Sequence, residues 1–182
     1  MVDFLDKNEQ QVLLSLARRA ITHYLETGEM LDVEPVENKK FKEKRGAFVT
    51  LKVGGELRGC IGYPLPIKPL LETVMEMAVA AATQDYRFAP LTREELPQTK
   101  IEISVLTLPQ PIDDVSQIEV GKHGIIVSKG FARGLLLPQV PIEYHWDRET
   151  FLRHGCLKAG LDEDEWKKGA RVEIFSAQVF SE

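Results

Sequence analysis

The sequence is poor in cysteine: Cys60 and Cys156 are the two present in 182 residues, 96 positions apart. With no CxxC pair and no Cys/His cluster at zinc-finger spacing, a disulfide framework and a structural zinc knuckle are excluded. Two isolated cysteines in a cytoplasmic chain stay reduced. Long hydrophobic runs are missing as well. The apolar stretch Ala78–Ala82 is far below the roughly 18 residues of a membrane span. The start, Met1-Val2-Asp3-Phe4-Leu5-Asp6, has neither the basic nor the apolar region of a signal peptide. A cytoplasmic protein without membrane contact is expected. Positive charge is also in deficit: 23 basic residues face 28 acidic ones, a net charge of −5 and a pI near 5.5. That composition disfavours non-specific nucleic-acid binding, which needs a basic face to displace counterions. No phosphate loop, dinucleotide fingerprint, serine nucleophile elbow or HExxH helix occurs. The four histidines form no i, i+4 pair, so no metal or cofactor is expected, a site assembled purely by tertiary contact being the alternative.

What is present is ordinary globular composition, with 43% hydrophobic and 28% charged residues. A chain of this length buries roughly 70% of its unfolded surface, enough for a core without staples. Apolar residues from Val12 to Leu25 recur with a period near 3.6 and predict a helix over 8–26, stopped at Gly28. The polar stretch 31–44, with Pro35 and Asn38-Lys39-Lys40, reads as a loop.

Alternation over Gly46–Val53 and again over Leu57–Ile61 predicts a β-hairpin. A two-residue Gly54-Gly55 loop would set Leu51 against Arg58 and Val49 against Cys60. A three-residue loop ending at Glu56 sets Val53 against Leu57, Leu51 against Gly59 and Val49 against Ile61, keeping the apolar face whole. The second register is therefore expected, with Phe48, Thr50, Arg58 and Cys60 on the opposite face. A helix over 67–84 follows, with Pro66 near its start and a small-residue stretch, Ala78–Ala82, that lets another backbone approach. Lys100–Leu106 alternates as a strand.

The remaining chain repeats this order. Gly124–Ser128, a Lys129-Gly130 turn and Arg133–Leu137 form a second hairpin; Thr150–Ala159 is helical and Arg171–Phe180 a last strand. A shift of 75 residues carries Gly46, Gly55, Arg58 and Gly59 onto Gly121, Gly130, Arg133 and Gly134. A shift of 71 carries Lys100-Ile101-Glu102-Ile103 onto Arg171-Val172-Glu173-Ile174. These matches point to an α+β fold with a duplicated hairpin–helix–strand unit (repeats about 45–106 and 121–180) in one domain.

The most unusual stretch is Leu57-Arg58-Gly59-Cys60-Ile61-Gly62. Glycines flanking a cysteine expose the backbone around the sulfur, and a nearby arginine favours a thiolate. N–H groups freed at Gly59 or Gly62 could hold an oxyanion. No base is evident in sequence, however, and Cys60 reads equally as a small buried hydrophobe between strand-bending glycines. Asp85 and Arg87 follow a helix end beside aromatics, where they line a cleft or form a local ion pair. Arg58 and Arg133 either clamp an anion together or pair with Glu102 and Glu173 of their own halves. Trp146 and Trp166 read as core.

With Arg58-Gly59-Cys60-Ile61-Gly62, Asp85-Tyr86-Arg87-Phe88-Ala89-Pro90-Leu91, Ile101-Glu102-Ile103-Ser104-Val105-Leu106 and Leu136-Leu137-Pro138-Gln139-Val140 in order, the chain resembles the AMMECR domain family, as a stand-alone archaeal member. Trp146-Asp147, Phe151-Leu152 and Cys156-x-Lys158-Ala159-Gly160-Leu161 extend the match. The resemblance implies an α+β fold with a barrel-like, mostly antiparallel sheet and helices outside. It also implies a functional site at the Arg58–Gly62 motif. It assigns no activity. It associates the domain with Memo-type and radical S-adenosylmethionine proteins in a shared pathway. Tyr144-His145, between Glu143 and Trp146, departs from the family pattern and leaves Glu143 without a fixed role.

Two functions follow as expectations. One is an accessory domain whose groove around the motif receives a protein partner or small anionic ligand, with Arg58, Cys60, Asp85 and Arg87 as walls and Gly59 and Gly62 as floor. Glu143 is a further candidate ligand-binding residue. The other is an enzyme with Cys60 as nucleophilic or redox thiol.

Overall fold

The computed structural model describes residues 4–33 and 36–182. The first three residues and Pro35, on which parts of the sequence reading fell, lie outside them. Two compact units emerge. The first comprises Met1–Leu106 with Gln178–Glu182, and the second Thr107–Ala177.

The first unit begins with α1 (Lys7–Thr27), one residue longer at each end than the expected 8–26. Asp6 caps it, accepting from the Glu9 N–H at 2.9 Å, while the Glu9 carboxylate accepts from the Asp6 N–H at 2.8 Å. This reciprocal box satisfies two orphan donors. Gly28 stops the helix in the left-handed conformation at φ 75°. Within the segment read as loop, α2 (Lys39–Lys42) forms one turn because Asn38 accepts from the Lys40 N–H and Phe41 is buried. The strands are β1 (Ala47–Val53), β2 (Glu56–Tyr63) and β3 (Thr99–Leu106), with α3 (Leu70–Thr83) between β2 and β3. The helix starts later than expected because Pro69, not Pro66, precedes it, and the residue before a proline disfavours helical backbone.

The β1–β2 register takes half of each alternative weighed from sequence. Val49 pairs with Ile61 and Leu51 with Gly59, as the apolar matching required. Nearer the turn the expectation fails: Val53 pairs with Glu56 and Lys52 with Leu57. The loop is the two-residue Gly54-Gly55 turn, both at positive φ (61° and 86°), the primed type that suits strand twist. Arg58 is the extra residue of a β-bulge that reconciles the two registers. Leu57, placed in the apolar set by alternation, is consequently 40% exposed.

The sheet order is β2-β1-β3-β8, where β8 (Ala177–Ser181) is the returning end of the chain. Leu13, Ile21, Val49, Leu51, Leu70, Val74, Ile101 and Ile103 form the centre of its core. The final strand read as one piece is two, since β7 (Arg171–Phe175) belongs to the second unit's sheet and Ser176 separates it from β8.

The second unit holds β4 (Gln110–Ile112), the hairpin β5 (Gly124–Lys129) and β6 (Ala132–Leu136), and two helices, α4 (Val140–Glu143) and α5 (Arg148–Lys158). Its sheet order is β4-β7-β5-β6. The hairpin turns at Gly130-Phe131, one residue later than expected, because Lys129 pairs with Ala132. Ile125, Val127, Phe151, Leu152 and Cys156 fill this core, with Trp146 and Trp166 packed against it. The fold is thus α+β with antiparallel pairing, but the expected barrel is corrected: two separate four-stranded sheets form, and neither closes.

Candidate functional site

The Arg58–Gly62 stretch occupies β2, the edge of the first sheet. Cys60 stands opposite Thr50, so its own N–H and C=O turn outward from that edge. Both are met by side chains just past the end of α3. Asp85 Oδ2 accepts from the Cys60 N–H at 2.9 Å, and Arg87 Nη2 donates to the Cys60 carbonyl at 3.4 Å. Asp85 in turn accepts from Arg87 Nε at 2.9 Å and Nη2 at 2.7 Å. An ion pair two residues apart in sequence therefore closes the strand edge at one position, a task a further strand would otherwise perform.

The Asp85 carboxylate is 2% exposed and the Arg87 side chain 45%. Hydrogen bonds from the Arg87 guanidinium hold the Asp85 carboxyl well below the usual carboxylate range. Burial opposes this, and the Cys60 and Arg87 N–H groups reinforce it. Arg87 also lies over the Phe88 ring, 5.5 Å from its centroid, while Tyr86, between Asp85 and Arg87 in sequence, is almost wholly exposed. Nη1 of Arg87 has no partner among the described residues.

Arg58 takes a different course. Its bulge aims it at the segment after Phe88, where Nη1 donates to the Ala89 carbonyl at 2.8 Å and Nε and Nη2 each reach Glu95 at 3.1 Å. The Arg58 guanidinium holds the Glu95 carboxyl below its ordinary value. Arg58 is therefore engaged by Glu95 and the Ala89 carbonyl, and its hydrogen-bond partners include neither Glu102 nor the Cys60 sulfur. Glu102 binds Lys52 instead, at 3.0 Å. Arg133 does stand 4.0 Å from Glu173, the partner expected for it.

Cys60 is partly exposed, and its Sγ lies 3.1 Å from the Thr50 hydroxyl. No histidine or free carboxylate accompanies it among its hydrogen-bond partners. The two glycines are filled rather than open. A Cβ on Gly59 would strike the Ala81 carbonyl of α3, and one on Gly62 would strike the Phe48 ring and sit 2.5 Å from the Ala47 oxygen. Gly59 thus allows β2 to lie directly on the small-residue stretch of α3, and Phe48 covers Gly62. The concave floor expected from the two glycines is corrected accordingly.

Glu143 ends α4 in the second unit, exposed, and its carboxylate has no hydrogen bond or ion pair among the described residues. Near it Trp146 is sandwiched between Tyr144, at 5.0 Å, and His154, at 3.8 Å between ring centroids. Sequence reasoning missed Glu95. Glu95 was findable: Thr92-x-x-Glu95 is a capping box, with the Thr92 N–H donating to Glu95 and the Glu95 N–H to Thr92. Thr50 stands opposite Cys60, on the face where the expected register set both.

The family model for AMMECR1 matches residues 14–180. The chain belongs to the AMMECR1 family. Protein MK0488 of Methanopyrus kandleri is 50% identical over 192 residues, covering 100% of this chain and 92% of that protein. Protein MJ0810 of Methanocaldococcus jannaschii is 47% identical over 175 residues, covering 91% and 86%. The crystal structure of uncharacterized protein PH0010 from Pyrococcus horikoshii matches with a TM-score of 0.73 at 43% identity, covering 94% of this chain and 90% of that one. These AMMECR1 relatives are archaeal. Among the described residues no helix is long and apolar enough to cross a membrane, and no group of three or more His, Cys, Asp or Glu is placed to hold a metal ion.

Proposed function

We propose that this AMMECR1 domain is a binding module that receives a carboxylate group, from a protein partner or a small anionic ligand, at Arg87 beside Cys60. The observation that carries this reading is the fixed, half-exposed guanidinium. A buried carboxylate holds two of its donors, the Phe88 ring lies 5.5 Å from the guanidinium carbon, and Nη1 has no partner among the described residues. Pre-organised in this way, the side chain loses little rotamer freedom on binding. The enzymatic alternative, with Cys60 as nucleophile, has less support because Asp85 has its charge committed to Arg87 and the Cys60 N–H.

A titration with citrate and with an acidic peptide, followed by amide and Arg Nε–H NMR shifts, tests this. Shifts are expected at Cys60, Tyr86 and Arg87. Arg87→Ala should weaken binding about tenfold and Arg87→Lys by less, since a charge-assisted bond is roughly that strong. Unchanged affinity in Arg87→Ala overturns the reading. Co-purification of Memo-type or radical S-adenosylmethionine proteins, wild type against Arg87→Ala, is a second readout for a protein partner.

The internal duplication is likewise a proposal. Its support is that each unit has a hairpin, a helix and a strand that returns beside the first hairpin strand, in the orders β2-β1-β3-β8 and β6-β5-β7-β4. In each unit a hairpin glycine, Gly59 or Gly134, lies against helix-end backbone. A crystal structure whose best overlay of the two units sets Arg58 more than two residues from Arg133 would refute it.

A further inference from the structure

A cleft of about 510 Å³ opens at the hairpin end of the first sheet, lined by Lys52, Gly54, Gly55, Gln98, Lys100, Ile101, Glu102 and Ser181. Its cations are crowded. Lys52 and Lys100 stand directly opposite each other in the β1–β3 register, and like charges so placed destabilise a sheet. Glu102, on the diagonal, compensates Lys52 at 3.0 Å. The Lys100 ammonium has no hydrogen bond or ion pair among the described residues. The carboxylate its field reaches, Glu182, is already held by Arg18 Nε at 2.7 Å and by the Ile101 N–H at 3.1 Å. The rim is open as well, since a Cβ on Gly54 or Gly55 would meet nothing within 4 Å.

We propose that this cleft binds a small phosphate-bearing molecule, whose dianion completes the Lys52–Lys100 pair. Compact ammonium groups with rotatable donors bind phosphate as point charges. The volume lies within the range of small-ligand clefts. The net charge of −5 repels an extended polyanion, so a small molecule fits better than nucleic acid. Gln98 and Ser181 supply neutral donors at the wall.

Pyrophosphate, titrated calorimetrically and by thermal shift at constant ionic strength, tests the proposal. The wild type is expected to bind and to gain Tm with concentration. Lys100→Gln should bind about tenfold more weakly, while its Tm without anion equals or exceeds that of the wild type because the like-charge pair is gone. That second measurement separates a lost site from a damaged fold. Arg87→Ala should bind pyrophosphate as the wild type does, which keeps this result distinct from the carboxylate reading. Absence of binding to wild type, equal affinity in Lys100→Gln, or tighter binding of a single-stranded oligonucleotide than of pyrophosphate overturns it.

Discussion

Asp85→Ala is expected to cost about 3 kcal/mol, because it leaves the Cys60 N–H at the strand edge without an acceptor and removes the anchor of Arg87. For a chain of this size that corresponds to a fall of about 8 °C in Tm. Asp85→Asn keeps an oxygen for the Cys60 N–H but loses the charge, so a smaller loss is expected. The effect carries a pH signature. The folded carboxyl is held below its unfolded value of about 3.9, so its contribution is complete above that value. It is lost as pH falls toward the depressed folded value. The Tm gap between wild type and Asp85→Asn should be constant from about pH 5 to 7 and shrink below about pH 4. A gap that persists undiminished at pH 3 would mean that the charge of Asp85 is not what stabilises the edge.

Gly59→Ala is expected to be at least as damaging, at about 3 kcal/mol or more. The added methyl would lie within contact of the Ala81 carbonyl oxygen and 3.0 Å from its carbon. Backbone stands on both sides of this clash: β2 is paired to β1, and α3 is packed in the core. Neither can rotate away as a side chain would. Gly55→Ala is the control. It is strained at φ 86° but meets open space, and about 1 kcal/mol is expected. Urea midpoints of the two variants decide the matter, and equal losses would show that close approach of β2 to α3 is not what glycine serves at position 59.

Periodicity made most elements legible. The α1 stripe, the alternation of β1 and β3 and the small residues of α3 were readable because each repeats a local pattern several times over. The site was legible in part. Cys60, Asp85 and Arg87 were singled out by type and position, and the structure does bring them together. Arg58 was singled out too, yet the bulge sends it to Glu95. A bulge of one residue leaves almost no trace in composition, because either register satisfies much of the same apolar alternation. Glu143 lies in the other unit, and what covers Gly62 is the side chain of Phe48 on the neighbouring strand.

The amino-acid sequence by itself determined the family, the α+β class, the two hairpins and the main helices, and the glycine-framed cysteine on a strand. These depend on local spacing and on motifs that survive without any knowledge of neighbours. Tertiary structure alone decided that the sheets are two and open, since whether strands close depends on which edges meet. It decided that residues 177–181 return to the first sheet, a long-range pairing that no local pattern encodes. It also decided the chemistry of the motif. An ionic side chain works according to what it touches, so the choice of Arg87 over Arg58 as the exposed cation rests on contacts 2 and 37 residues away in sequence.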